Sequence, residues 1–124
     1  MRLLTTAIAL TIALAPSAFA ELQDTSSKIQ FDLDRLDESG LYGAEEGKRS
    51  LSYEFCIPNR PADIEAVQRI DSTVVLYFES PGRMSCDSTE MLVIGHTQQP
   101  NYREVITKLA RLESIEQIEQ FWGE

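Results

Sequence analysis

Histidine and cysteine are scarce in this chain, and their scarcity limits the chemistry that the chain can perform. His96 is the sole histidine, and Cys56 and Cys86 are the only cysteines. A zinc site built from cysteines and histidines therefore lacks ligands, and the C-x-x-C spacing of a redox dithiol does not occur. The G-x-S-x-G nucleophile elbow is missing as well. The sequence accordingly predicts no metal, no cofactor and no catalytic residue.

Long apolar runs are missing after the first twenty residues. Met1-Arg2 is a short positive tip, residues 3–15 are almost entirely apolar, and Ala18-Phe19-Ala20 presents small residues where signal peptidase reads them. An apolar run of roughly 13 residues is shorter than the ~20 that a membrane-spanning helix needs. We therefore expect residues 1–20 to be a Sec-type signal peptide that is cleaved after Ala20. The remaining protein would be periplasmic or secreted from a bacterium, with no insertion in the membrane.

Basic residues are few compared with acidic ones, eleven against twenty. Cleavage after Ala20 removes one basic residue and no acidic residue, which changes the net charge from −9 to −10. A surface with this excess of negative charge repels nucleic acid and anionic lipid. We therefore expect no nucleic-acid partner.

The two cysteines allow one intramolecular bridge. An exported chain folds in an oxidising compartment, where thiols pair. In the loop-entropy model, closing a loop of about 30 residues stabilises the folded state by roughly 3–4 kcal/mol. We predict a structural disulfide between Cys56 and Cys86.

Residues 51–122 show an order of strand and helix patterns. Stretches that alternate between apolar and polar residues, or that are rich in β-branched and aromatic residues, predict strands at 51–57, 73–78 and 91–94. Apolar residues at helical spacing predict helices at 61–70 and 101–111, the second with Asn101 and Glu104 at the spacing of a capping box. Residues 115–122 could prolong this helix, but we favour a fourth strand.

The resulting order, β-α-β-β-α-β, is that of the ferredoxin-like fold, an α+β sandwich with an antiparallel four-stranded sheet and two helices on one face. Right-handed crossovers give the strand order 4-1-3-2 and place the hairpin between strands two and three beside the exit of strand one. Cys56 lies at that exit and Cys86 in that hairpin. We therefore assign residues 51–124 to a ferredoxin-like domain with one disulfide.

Residues 21–50 form an N-terminal extension of that domain. Ile29, Phe31 and Leu33 alternate with polar residues, which predicts an added strand, although Leu36 also permits a short helix. Glycines punctuate residues 40–47 and predict a loop. The second strand of the domain is apolar on both sides. We therefore expect this extension, or a second copy of the chain, to cover the other face of the sheet.

Four side chains are candidates for contact with a ligand or partner: His96, Glu54, Arg83 and Tyr42. His96 lies in a loop that leads to a helix N-terminus, where backbone N–H groups can hold an anion. Glu54 lies in mid-strand, on the face away from the aromatic residues. If that face is covered, its carboxylate is buried and needs a partner such as Arg83. Tyr42 lies in the glycine-rich loop.

The segment Leu112-Glu-Ser-Ile-Glu-Gln-Ile-Glu119 follows the second predicted helix. It resembles the end of the propeptide domains of subtilisin-type proteases, which have the ferredoxin-like fold and close with a helix followed by a V-x-x-V-E strand. The resemblance covers only this short stretch. It implies the same fold and a final strand.

Three functions are compatible with these observations. The first is a non-catalytic module that binds a protein through the exposed edge of its second strand, in its sharpest form a protease inhibitor or chaperone-like protein. The second is a small periplasmic ligand-binding protein or enzyme, with the His96 loop and the loop Gly40–Gly47 as walls. The third is a homodimeric structural protein.

Overall fold

The structure is a computed structural model that describes residues 27–122. The predicted signal peptide, residues 1–20, lies outside this range. The described chain is α+β, with two helices, antiparallel sheets and one disulfide, as the sequence predicted. Between residues 27 and 122, no helix combines the length and the apolar character that crossing a membrane requires.

The first two strands form a small sheet that the sequence analysis did not predict. Strand β1 (Leu41–Tyr42) pairs antiparallel with β2 (Arg49–Ser50). A short 3-10 turn at Glu45–Gly47 joins them. The glycine-rich stretch is therefore a hairpin, since Gly43 adopts a φ of 106° and reverses the chain.

The larger sheet has four strands. They are β3 (Ser52–Pro58), β4 (Val75–Tyr77), β5 (Glu90–His96) and β6 (Glu119–Phe121). The strand order is β4-β5-β3-β6, and each pair of neighbours is antiparallel. The final segment therefore lies beside β3 as a strand, as favoured above, and is shorter than predicted.

The two helices lie at the predicted places. Helix α1 (Pro61–Ile70) begins with proline in its first turn, and helix α2 (Tyr102–Ala110) follows β5. The capping-box prediction was wrong in its mechanism. Asn101 occupies the N-cap position, but its backbone is left-handed (φ 57°, ψ 37°) and its side chain makes no capping hydrogen bond.

The core lies on the helix side of the larger sheet. Alternation along β3 directs Tyr53, Phe55 and Ile57 to this side, where all three are fully buried. The helices contribute the buried apolar side chains that face them. These include Val67 of α1 and Tyr102, Ile106, Leu109 and Ala110 of α2.

Strand β5 continues past Gly95, where the sequence predicted its end. Gly95 pairs with Tyr53, and its lack of a side chain is required by close packing. A Cβ at this position would lie 2.8 Å from the ring of Tyr53 and 2.8 Å from Oδ2 of Asp71. The glycine therefore makes room for buried neighbours and does not terminate the strand.

The N-terminal extension packs on the helix side of the sheet, so the expectation that it covers the other face was wrong. Phe31 stacks on Tyr53 with ring centroids 6.3 Å apart, and Leu36 is buried in the same core. The predicted added strand is reduced to a single parallel bridge between Ile29 and Ile118. A 3-10 turn follows at Leu33–Arg35, because the Asp32 side chain accepts a hydrogen bond from the Asp34 N–H.

Candidate functional site

The face of the sheet away from the helices carries a mixed row of side chains. The strand register aligns Glu54 with Ile94 on one side and with Glu119 on the other, and aligns Ile94 with Val75. Residues that are directly opposed across a pair of strands point to the same face. Glu54 and Glu119 are therefore neighbours on this face. The residues aligned with them on the neighbouring strands, Ile94 and Val75, are apolar.

Residues 79–88, termed here the covering loop, fold back over this face. Cys86 in the loop is bonded to Cys56 of β3, which confirms the predicted disulfide. A Cβ on Gly82 would lie 2.7 Å from Cδ2 of Leu92 and 3.2 Å from Oε1 of Glu54, so the loop backbone rests directly on these side chains. The loop between β4 and β5 thus takes the place that the sequence analysis assigned to the extension or to a second copy.

Glu54 is fully buried beneath the covering loop. Neither carboxylate oxygen has a hydrogen-bond partner among residues 27–122. Burial raises the pKa of Glu54 above its ordinary value, and the nearby charge of Glu119 raises it further. The guanidinium and backbone N–H of Arg83 act in the opposite direction but close no hydrogen bond with the carboxylate.

Arg83 is therefore near Glu54 without forming the ion pair expected from the sequence. Its side chain is exposed, and within the described chain no carboxylate lies within 4.0 Å of it. Tyr42 is placed elsewhere, in β1, where its ring lies 5.2 Å from the guanidinium carbon of Arg35. The structure thus brings Glu54 and Arg83 together and separates Tyr42 from them by the sheet.

His96 ends β5, and backbone bonds hold it in place. Its N–H donates to the Thr73 hydroxyl at 3.1 Å, and its carbonyl accepts from the Gln99 amide at 2.9 Å. The side-chain Nδ1 is buried and has no partner among the described residues. Ser52 is its neighbour across the strand pair, but no hydrogen bond joins the two side chains. These backbone bonds hold the start of the loop that leads to α2.

The two loops that were to form the walls of a ligand site contact each other directly. The Thr97 hydroxyl, next to His96 in sequence, donates to the carbonyl of Gly40 at 2.6 Å and accepts from the Leu51 N–H at 2.9 Å. Thr97 is fully buried. The space between the His96 loop and the glycine-rich hairpin is therefore filled by protein at this point.

Strand β4 forms one edge of the sheet and is apolar and exposed. Val75 is 52% exposed, Tyr77 42% and Phe78, just after the strand, 62%. Within the described residues, β4 pairs with β5 only, so its other edge is open. Trp122, beside the opposite edge strand, is the remaining exposed large apolar residue of the described chain. Three of the four exposed large apolar residues of the described chain, Val75, Tyr77 and Phe78, therefore lie close together along one open edge.

A buried polar network that sequence reasoning missed lies beneath the end of α1. The Tyr53 hydroxyl donates a short hydrogen bond to Asp71, whose other oxygen accepts from the Thr73 N–H and hydroxyl at 2.9 and 2.7 Å. The Gln99 amide donates to Tyr53 and Asp71 at 3.1 and 3.2 Å. Burial raises the pKa of the Tyr53 hydroxyl, and the neighbouring Asp71 carboxylate raises it further. The hydroxyl therefore keeps its proton and remains a hydrogen-bond donor. Gly95, which the sequence placed at the end of a predicted strand, was the one residue in the sequence that could have indicated such close packing.

Tyr53→Phe is expected to lower the free energy of unfolding by about 2 kcal/mol, because it removes a hydrogen-bond donor from a buried carboxylate. Denaturant unfolding followed by far-UV circular dichroism measures this change. Tyr77→Phe is the matched control, since Tyr77 is exposed and its substitution is expected to change stability by less than about 0.5 kcal/mol. Equal effects of the two substitutions would show that the network does not stabilise the fold.

A groove of about 610 Å³ opens at the N-terminus of α2. Leu36, Asp37 and Glu38 line one side, and residues 101–104, including Glu104, line the other. Three carboxylates around the helix start oppose the anion binding that a helix N-terminus otherwise favours. The groove contains none of the four candidate residues.

One cluster of potential metal-ligating side chains occurs between residues 27 and 122, and it consists of Cys56, Cys86 and Glu90. The two sulfur atoms are bonded to each other, and a disulfide has no thiolate to offer a metal. The cluster is therefore the environment of the disulfide.

Comparison with known proteins identified no relative of this chain. Neither the models of protein families, nor the curated proteins, nor the solved structures contain a match to this chain.

Proposed function

We propose that this chain is an exported, non-catalytic protein-binding module that binds an extended segment of a partner along the open edge of β4. The observation that carries the proposal is the exposure of Val75, Tyr77 and Phe78 on and after that strand. An unpaired edge offers N–H and C=O groups to an added strand, and exposed apolar side chains give such an addition further affinity.

The edge of β4 lacks the charged and proline residues that protect many edge strands from pairing. Natural edges carry lysine, proline or inward-pointing charges that oppose strand addition. The residues Val75–Tyr77 include none of these, and the strand is flanked by Phe78. Its short length limits affinity, so a partner would also need to contact the neighbouring aromatic side chains.

We propose further that residues 51–124 form a ferredoxin-like domain and that residues 1–20 direct its export. The strand order β4-β5-β3-β6, with a helix after β3 and another after β5, supports the first part. The disulfide supports the second, because thiols oxidise stably in exported proteins. N-terminal sequencing of the secreted protein tests the cleavage after Ala20.

The partner test compares three forms of the mature protein as bait in a bacterial periplasmic extract. Val75→Lys combined with Tyr77→Lys is expected to lose the proteins retained by wild type, because charges on an edge oppose strand pairing. Trp122→Lys on the opposite edge is the control, and it should retain them. If all three forms retain the same proteins, the edge of β4 is not the binding site.

Two further measurements separate the alternatives. A second copy of the chain could pair with the same edge, and the mass in solution of wild type and of the double lysine variant would show this as a dimer that the variant loses. A ligand-binding or enzymatic role for the His96 loop predicts that His96→Ala changes behaviour. Under the proposal above, His96→Ala leaves the retained proteins unchanged.

A further inference from the structure

Few contacts hold the covering loop on the sheet. The Cys56–Cys86 disulfide anchors its far end, and β4 leads into its near end. Between these points Gly82 packs on Leu92 and Glu54, and the backbone N–H of Arg83 is directed at the Glu54 carboxylate, but within the described chain no bond from residues 79–85 to the sheet has full hydrogen-bond geometry. A segment with so few contacts opens more readily than the whole domain unfolds.

The closed loop also has a strained backbone. Glu79 and Ser85 adopt φ values of 63° and 59°, in the left-handed region that residues with a Cβ rarely enter. Gly82 has a φ of 60°, where glycine is required both by conformation and by its contact with Leu92. Opening lets Glu79 and Ser85 return to ordinary backbone conformations.

Closure buries the Glu54 carboxyl group without a hydrogen bond or an ion pair within 4.0 Å among the described residues. Glu119 of β6 faces Glu54 and repels its charge, whereas Arg83 of the loop attracts it from an exposed position. Strand β5 opposes Glu54 with the apolar Ile94. A carboxylate without a hydrogen bond in such a site is far less stable than a neutral carboxyl group.

We propose that residues 79–88 are a lid that closes over the sheet only when Glu54 holds a proton, and that ionisation of Glu54 opens it. Opening uncovers the Glu54 carboxylate and the Leu92 side chain next to the β4–β5 pair. This inference goes beyond partner binding and does not depend on it.

The direction of the pH dependence follows from burial. The closed form holds the pKa of Glu54 above the ordinary value of 4.5, and opening returns it toward that value. Between these two pKa values the closed form retains the proton and the open form releases it. Closure is therefore strongest below pH 4.5 and weakens as the pH rises through this window, where the opening equilibrium increases about tenfold per pH unit.

Hydrogen exchange of the buried Cys86 amide, which donates to the Pro81 carbonyl at 3.0 Å within the lid, tests the lid in the oxidised protein. Its exchange rate, corrected for the intrinsic pH dependence, is expected to rise in wild type as the pH increases above the ordinary pKa of 4.5. Glu54→Gln keeps the shape of the neutral acid but cannot ionise. In this variant the corrected exchange rate is expected to stay at its low-pH value throughout. Glu113→Gln changes the same charge at an exposed position and should follow wild type.

Trypsin provides a second measurement, because Arg83 lies in the lid. At about pH 8 we expect cleavage after Arg83 to be several-fold faster in wild type than in Glu54→Gln, because only wild type can ionise Glu54 and open the lid. Equal cleavage of the two forms, or corrected exchange rates of wild type that do not change with pH, would overturn the proposal. If Glu54→Gln does not fold, the exchange profile of wild type alone decides.

Discussion

Replacing Cys56 and Cys86 together by serine is expected to lower the Tm of the protein by at least about 12 °C. The bridge closes a loop across 30 residues, which the loop-entropy model values at about 3 kcal/mol or more. In a domain of this size each kcal/mol corresponds to about 4–8 °C in Tm. Differential scanning calorimetry of wild type and of the double variant measures the change.

Chemical reduction provides the control for this substitution. Wild type treated with a reductant should unfold at the Tm of the serine variant, while the variant should not respond to the reductant. A double variant that unfolds within about 3 °C of wild type would contradict the entropic account, in which the bridge stabilises the fold by restricting the unfolded chain.

Gly40→Ala is expected to lower the free energy of unfolding by at least about 2 kcal/mol. Gly40 has a φ of 78°, and a left-handed backbone costs an L-residue about 1–2 kcal/mol. An added Cβ would also lie 2.0 Å from the carbonyl oxygen of Thr97, which belongs to the backbone and cannot move aside cheaply. The extension would then separate from the loop that follows β5.

Gly47→Ala is the matched control in the same hairpin. No atom lies within 4 Å of a Cβ built there, and Gly47 is not among the residues with positive φ. Alanine at such a position is expected to be neutral or to stabilise by about 0.4–1 kcal/mol, because it restricts the unfolded chain. Denaturant unfolding of both variants measures the difference, and equal losses would contradict the account of Gly40.

Periodicity predicted the main elements because each is decided by local pattern. The three-residue spacing of Ile64, Val67 and Ile70 identified α1 with its bounds, and strict alternation identified β3. The disulfide was predicted from the presence of only two cysteines in a chain expected to be exported, and the predicted order of elements independently placed Cys56 beside Cys86. These predictions needed no knowledge of individual tertiary contacts.

The predictions that failed depended on contacts between residues distant in sequence. The alternation of Ile29 with polar residues is compatible with a strand, but packing of Phe31 on Tyr53 draws the extension to the helix side of the sheet. Asn101 has the residue type of an N-cap, yet the approach from β5 to α2 requires a left-handed backbone there. Neither outcome is encoded in a local pattern.

The candidate site was predicted in part for the same reason. The position of Glu54 on the second face, and its burial if that face were covered, followed from alternation along β3. The identity of the cover did not, because a turn segment with proline and glycine gives no indication of where it folds. The hydrogen bond between Tyr53 and Asp71 could not be predicted either, because it joins residues of two separate elements.

The pairing of Ile29 with Ile118 has a consequence for biosynthesis. Lys28 and Gln30 exchange backbone hydrogen bonds with Ile118 at 2.8 Å, and β6 inserts beside β3 just after that point. A nascent chain held in the ribosomal tunnel cannot make these contacts until translation is nearly complete. Because segments near the two ends of the described chain must meet, the polypeptide cannot complete its fold while it is being synthesised.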